Sequence, residues 1–375
     1  MKISPSEFYN FISSLGIDFF TGVPDSLLKE FCLCIDDVAP SKSHIITANE
    51  GNAIALAAGY HLATGSIPLV YMQNSGFGNA INPLLSLCDN DVYSIPMLLM
   101  MGWRGEPGVK DEPQHIKQGR IQLELLNTLN LPYEIISQDE DHYTEKIIKL
   151  IERSIKEQIP VCILIKKGTF DKFGKSINKV KSNRIEREEV LKIILDALGK
   201  SSIIVSTTGK TSREIFEIRS KNNEAHNQDF LTVGSMGHCS SIALGIALSK
   251  PNREVIAIDG DGAMLMHLGS LATISSLKPS NFKHVLLNNE VHESVGGQET
   301  AAKYVDLSEV SLAIGYNNVF RAKTKGEIKN SITELLNCTG PSLLEIKIKP
   351  GSRVDLGRPT NSPLENKILF SEFIQ

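Results

Sequence analysis

Residues 254–290 read EVIAIDGDGAMLMHLGSLATISSLKPSNFKHVLLNNE, and the division of this stretch decides the fold. EVIAIDGDG (254–262) is a short apolar run closed by glycines, which predicts a buried strand. AMLMHLGSLATISSL (263–277) has helical spacing, and HVLLNNE (284–290) is a second apolar run. The 25 residues between Gly262 and Asn288 are about what one helix and a returning parallel strand require. Asp261 and Asn289 are then expected at the carboxyl ends of neighbouring strands, where open α/β sheets place their ligands.

The same alternation runs outward from this unit. IPLVYMQ (67–73), IPMLLMMG (95–102), VCILIKKG (161–168), SIIVSTTG (202–209) and SLLEIKI (342–348) read as further buried parallel strands separated by helix-compatible segments. That pattern predicts an α/β protein with two doubly wound parallel-sheet domains. Between them the chain turns polar and basic, so the expected division is 1–168, a linker over 169–188, and 189–375. No short repeat or low-complexity tract is visible, and the two halves do not visibly repeat one another.

The 375 residues suffice for two cores, and 41% hydrophobic with 22% charged residues is ordinary for a globular protein. A formal net charge of −4 argues against nucleic acid, whose phosphates demand clustered Lys and Arg. It leaves room for a small anionic substrate. The cysteines at 32, 34, 88, 162, 239 and 338 include one close pair, Cys32 and Cys34, with no second pair to complete a zinc site. They read as free thiols in a reducing compartment. The N-terminus reads as an amphipathic helix rather than a signal peptide, and no apolar run reaches the roughly 18 residues of a membrane span. A cytoplasmic protein is expected.

Asp261 offers a carboxylate, Asn289 an amide oxygen and Val291 a backbone carbonyl, a set suited to Mg²⁺ carrying a diphosphate. Gly260 and Gly262 let the backbone approach closely, and amides at Gly262 and Ala263 can donate to phosphate oxygens. Thr208 and Gly209, closing the run at 202–209, are further expected contacts. Rival phosphate motifs fail: Gly209-Lys210-Thr211 has Ile204 where a P-loop needs glycine, and Gly76-Phe77-Gly78 has Ile81 where a dinucleotide fingerprint needs one.

Gly260-Asp261-Gly262 with Asn288-Asn289 resembles the signature of the thiamine-diphosphate enzymes. The resemblance implies thiamine diphosphate and Mg²⁺ as cofactors, with Asp261, Asn289 and Val291 on the metal. It further implies a glutamate bonded to the cofactor's aminopyrimidine ring. HIITANEGNAIALAAGYHLATG (44–65) supplies Glu50, after a strand and at the start of a helix of small residues, resembling the family's pyrimidine-domain motif. Read by itself, Glu50 is equally a favourable first-turn acid. The resemblance implies pyrimidine-binding and diphosphate-binding domains at 1–168 and 189–375. It also implies a homodimer or larger homo-oligomer in which Glu50 of one subunit faces Asp261 of its neighbour. The linker leaves no space for a middle domain.

Three loops stand out: 21–26 (TGVPDS), 102–115 (GWRGEPGVKDEPQH) and 351–359 (GSRVDLGRP). With 288–298 (NNEVHESVGGQ) and 233–238 (VGSMGH), they resemble the phosphonopyruvate decarboxylase family over nearly the whole chain. The resemblance implies conversion of 3-phosphonopyruvate into phosphonoacetaldehyde and CO₂ in phosphonate biosynthesis. A phosphonate needs cationic and amide donors. Arg104, Lys110, His115, Arg353 and Arg358 are the candidates, though each can equally form an ordinary ion pair. Asp25 and His292 are candidates for proton handling; Asp25 can equally cap a helix beginning at Ser26. Met236 resembles the large residue that props the cofactor. Sulfopyruvate decarboxylation, carboligation and cofactor binding without catalysis are the alternatives.

Overall fold

The computed structural model describes every residue except 1, 41, 140, 141 and 175–182, so part of the expected linker lies outside the described residues. The chain divides into two compact units, Met1–Asn178 with Val295–Gln298, and Lys179–Ser294 with Glu299–Gln375.

In the first unit the strands are β1 (Phe20–Gly22), β2 (His44–Ile46), β3 (Leu69–Gln73), β4 (Met97–Gly102), β5 (Tyr133–Ile136) and β6 (Pro160–Ile165). They form one sheet in the order β2-β1-β3-β4-β6-β5, every pair parallel. The helices are α1 (Pro5–Ser14), α2 (Lys29–Val38), α3 (Glu50–Thr64), α4 (Phe77–Pro83), α5 (Pro113–Thr128) and α6 (Tyr143–Glu157). Alternate side chains of the central strands feed two separate cores. Leu98, Met100, Val161, Ile163 and Ile165 face one, whereas Met97, Leu99, Met101, Cys162 and Leu164 face the other. A strand buried on both faces has to be apolar throughout, which is why these runs read as continuous rather than alternating.

The second unit contains β7 (Ile203–Ser206), β8 (Asp229–Leu231), β9 (Val255–Gly260), β10 (Phe282–Asn288), β11 (Asn318–Ala322) and β12 (Ser342–Lys347). Their order is β8-β7-β9-β10-β12-β11, again all parallel. Counted from its own first strand, each unit follows the order 2-1-3-4-6-5. Its helices are α7 (Arg187–Ala197), α8 (Lys210–Lys221), α9 (Cys239–Ser249), α10 (Asp261–Met266), α11 (Ser270–Leu277), α12 (Leu307–Ile314), α13 (Lys325–Asn337) and α14 (Pro363–Ile374). Ile256, Ile258, Val285 and Leu287 face one core; Val255, Ala257, Phe282 and Leu286 face the other.

Two local expectations need correction. The single helix expected over 263–277 begins at Asp261 and breaks after Met266, because His267 leaves helical geometry (φ −131°, ψ 48°) and stacks on His238 at 4.2 Å. Nor does a helix begin at Ser26: α2 starts at Lys29 with Leu28 at its cap, so Asp25 caps no helix. Among the described residues, no helix is long and apolar enough to cross a membrane.

Candidate active site

In the second unit β9 and β10 are direct neighbours, with Leu287 beside Gly260. Asp261 and Asn289, each one residue past its strand, therefore emerge side by side. Asp261 is only 3% exposed. Burial raises its pKa to about 6, opposed by the Thr300 hydroxyl and the backbone N–H groups of Asn289 and Gly262. Thr300 Oγ1 donates to Asp261 Oδ2 at 2.5 Å. These donors are neutral, so a buried carboxylate faces a place suited to a cation.

Asn289 is oriented from both ends. Its Nδ2 donates to Glu293 Oε2 at 2.9 Å, and its Oδ1 accepts the Val291 N–H at 3.1 Å. Burial opposes ionisation of Glu293, yet Arg187 and Lys210 hold its pKa down to about 2, with Arg187 Nη1 at 3.0 Å and Lys210 Nζ at 2.8 Å. Arg187 is shared with Glu214, which accepts at 2.8 and 2.9 Å. The chain doubles back beyond β10: Glu290 takes a left-handed φ of 64°, Val291 pairs antiparallel with Glu299, and the Thr300 N–H reaches the Glu290 carbonyl at 2.9 Å. That return delivers Thr300 to Asp261. The Val291 carbonyl accepts the Glu293 N–H at 2.9 Å and retains a second lone pair.

His292 and Met236 meet at Gly262. A Cβ on that glycine would lie 3.4 Å from the imidazole and 3.5 Å from Met236 Cε. Burial lowers the His292 pKa to about 4, so the ring is neutral at pH 7. Thr208 Oγ1 accepts the Gly234 N–H at 2.9 Å, joining the segment after β7 to the turn that carries Met236. The structure thus brings Thr208, Met236, Asp261, Gly262, Asn289, Val291 and His292 to one sheet edge. Among the described residues no three His, Cys, Asp or Glu side chains cluster as a metal site. One carboxylate, one amide oxygen and one carbonyl suit Mg²⁺, which takes its remaining oxygens from phosphate and water.

In the first unit Glu50 opens α3, with Asn49 capping the Asn52 N–H at 2.9 Å. Glu50 is 5% exposed; burial raises its pKa, and an Asn79 hydrogen bond opposes the rise. Asp25 follows β1 and is wholly buried. Gln73 Nε2 donates to its Oδ1 at 2.5 Å and the Leu27 N–H to its Oδ2 at 2.9 Å. Burial nevertheless raises its pKa.

The five expected substrate cations have different surroundings. Arg104 binds both oxygens of Asp111, with Nε at 2.8 Å from Oδ2, and reaches Ser26 Oγ at 2.9 Å. Three of its five N–H donors are therefore occupied. His115 is buried with Nδ1 unpartnered, and burial lowers its pKa, so it is a neutral donor or acceptor rather than a cation. Lys110 and Arg358 lie exposed. Arg353 binds Glu188 at 2.7 Å, Asp355 at 3.1 Å and Glu217. Sequence reasoning missed Thr300, Glu293, Arg187 and Asn79. Each acts through another side chain, and no motif spacing marks it.

Residues 7–126 match the thiamine pyrophosphate enzyme N-terminal TPP-binding domain and residues 207–346 the C-terminal TPP-binding domain. The chain is 34% identical over 388 residues to a phosphonopyruvate decarboxylase of Streptomyces hygroscopicus, covering 99% of this chain and 94% of that one. A phosphonopyruvate decarboxylase of Streptomyces viridochromogenes is also 34% identical, over 97% of this chain and 93% of its own. A sulfopyruvate decarboxylase of Methanosarcina acetivorans is 26% identical, over 93% of this chain and 90% of its own. The protein belongs to the thiamine pyrophosphate enzymes. It is a carboxy-lyase of that family, with thiamine diphosphate as its cofactor and no middle domain.

Proposed function

We propose that the protein decarboxylates 3-phosphonopyruvate to phosphonoacetaldehyde and CO₂, a reaction of phosphonate biosynthesis. The observation that carries the substrate is the near-full-length similarity to two phosphonopyruvate decarboxylases at 34%, against 26% for the sulfopyruvate enzyme. Asp261, Asn289 and the Val291 carbonyl would hold Mg²⁺ on the cofactor's diphosphate, with Gly262 and Ala263 amides beside it. Bound thiamine diphosphate supplies the electron sink for the bond to CO₂.

Glu50 holds and returns a proton at its carboxyl, a task suited to an acid whose pKa burial has raised. Asp25, also raised, is the acid that delivers a proton after CO₂ leaves. Neutral His292 orients the reacting group by hydrogen bonding. Arg104, locked by Asp111 and Ser26, presents its remaining N–H groups to the phosphonate; Lys110, His115, Arg353 and Arg358 are the secondary candidates. The working unit is a homodimer or larger homo-oligomer. The six free cysteines favour a reducing, cytoplasmic setting.

The test is CO₂ release by purified protein with thiamine diphosphate and Mg²⁺, comparing phosphonopyruvate, sulfopyruvate and pyruvate. A kcat/KM at least roughly tenfold higher for phosphonopyruvate is expected, the scale of one or two charge-assisted contacts. Preference for either competitor overturns the substrate assignment.

A further inference from the structure

The first turn of α3 lies hard against α4 and the segment before it. A Cβ on Gly51 would stand 2.9 Å from the Asn79 carbonyl, and one on Gly76 would stand 2.0 Å from Glu50 Oε1. Both positions are glycine where any side chain would collide. In this packed corner Asn79 Nδ2 donates to Glu50 Oε2 at 2.8 Å. The two carboxyl oxygens are therefore unlike: Oε2 faces a donor, whereas Oε1 fills the space that a side chain at position 76 would need.

We propose that Asn79 is a positioning residue that decides which oxygen of Glu50 handles the proton: by holding Oε2, it leaves Oε1 to give and take it. An amide NH₂ group can only donate. An O–H on Oε2 directed at it would set donor against donor, so the acid form carries its hydrogen on Oε1. In the ionised form the same bond anchors the carboxylate and keeps Oε1 seated in the space that Gly76 leaves open. The inference rests on the reading of Glu50 as the proton-handling group.

Two readouts test it without substrate turnover. In the cofactor-free chain, carbon NMR follows the Glu50 carboxyl, assigned by its loss in Glu50→Gln. Removing a donor that favours the ionised form raises the titration midpoint. Asn79→Ala should shift it up by about half a unit or more, and isosteric Asn79→Asp further, because a second carboxylate opposes ionisation. In the holoenzyme, deuterium exchange at the cofactor's reactive thiazolium carbon should slow roughly tenfold in Asn79→Ala, the scale of one hydrogen bond to a charged group. The acid limb of its pH profile should move upward in parallel. Gly76→Ala should also slow exchange, by displacing Oε1 while Asn79 stays in place. Wild-type midpoint and exchange in Asn79→Asp, with exchange abolished in Glu50→Gln, overturns the role of Asn79. Wild-type exchange in Glu50→Gln withdraws the Glu50 reading itself.

Discussion

Asp25 shows how much of this chemistry is set by what surrounds one carboxyl group. It has no exposed surface, and burial raises its pKa despite bonds from Gln73 and Leu27 and the field of Arg104. The folded state therefore holds its proton more tightly than the unfolded chain does, and the linkage sign follows. This contribution to stability is fully present below the ordinary Asp range and is lost as pH rises through the folded pKa. The unfolding free energy of the cofactor-free wild type, taken relative to Asp25→Asn, should fall between acid and neutral pH. Urea unfolding at several pH values measures that difference, and a pH-independent gap would remove Asp25 as a proton store. At this scale the sequence was partly legible. Asp261 and Asn289 could be placed together because both follow strands, and strands separated by one helix pair side by side. Thr300 could not, since it reaches Asp261 only through the left-handed turn at Glu290 and the return of the chain beyond it. Arg104 looked available because the sequence does not reveal that Asp111, seven residues on, folds back onto its guanidinium.

Among the elements, legibility follows burial. The central strands β3, β4, β6, β7, β9, β10 and β12 each carry an apolar run because both faces feed a core. They stand out even though Asp259 in β9, Lys283 and His284 in β10 and Glu345 in β12 are buried polar residues. The edge strands β5 and β11 are mostly half-buried, as Tyr133–Ile135 and Asn318–Phe320 are. The edge strand β8 is three residues long. With one face less covered, or too short a run, none shows a continuous apolar signal. The break between α10 and α11 was equally hidden, because His267 leaves the helix for a partner in the turn before α9. One packing contact carries a quantitative expectation. A Cβ at Gly119 on α5 would stand 1.9 Å from the Gly105 carbonyl, and Trp103 Nε1 donates to the Gly119 carbonyl at 3.0 Å. The loop bearing Arg104 is therefore seated directly on that helix. Gly119→Ala should push the two apart and lower stability by about 1–3 kcal/mol, the usual cost of overpacking. Chemical denaturation of the variant checks this, and a change under about 0.5 kcal/mol would mean that the loop yields without cost.

Over the whole molecule, the same strand order 2-1-3-4-6-5 occurs twice, although the two sequences do not visibly repeat. In both units the connection reverses direction between the first and third strands, and at such a reversal the carboxyl ends of the strands open into a crevice. The first unit places Asp25 and Gln73 there, with Glu50 following β2. The second places Thr208 and Asp261 there, with Asn289 following β10. Twin scaffolds thus carry unlike residues: on the function proposed above, one edge would move protons, and the other would hold a diphosphate and its cation. If Glu50 of one copy serves the cofactor held by Asp261 of another, two inactive variants should rescue one another. Glu50→Gln and Asp261→Asn, each inactive by itself, would be mixed, unfolded and refolded together. Random pairing makes half the dimers mixed, and one of the two sites in each mixed dimer has both residues intact, so activity should return to about a quarter of wild type. Each variant refolded alone would remain inactive. No recovery in the mixture, with mixed dimers verified by differently tagged subunits, would mean that each copy completes its own site.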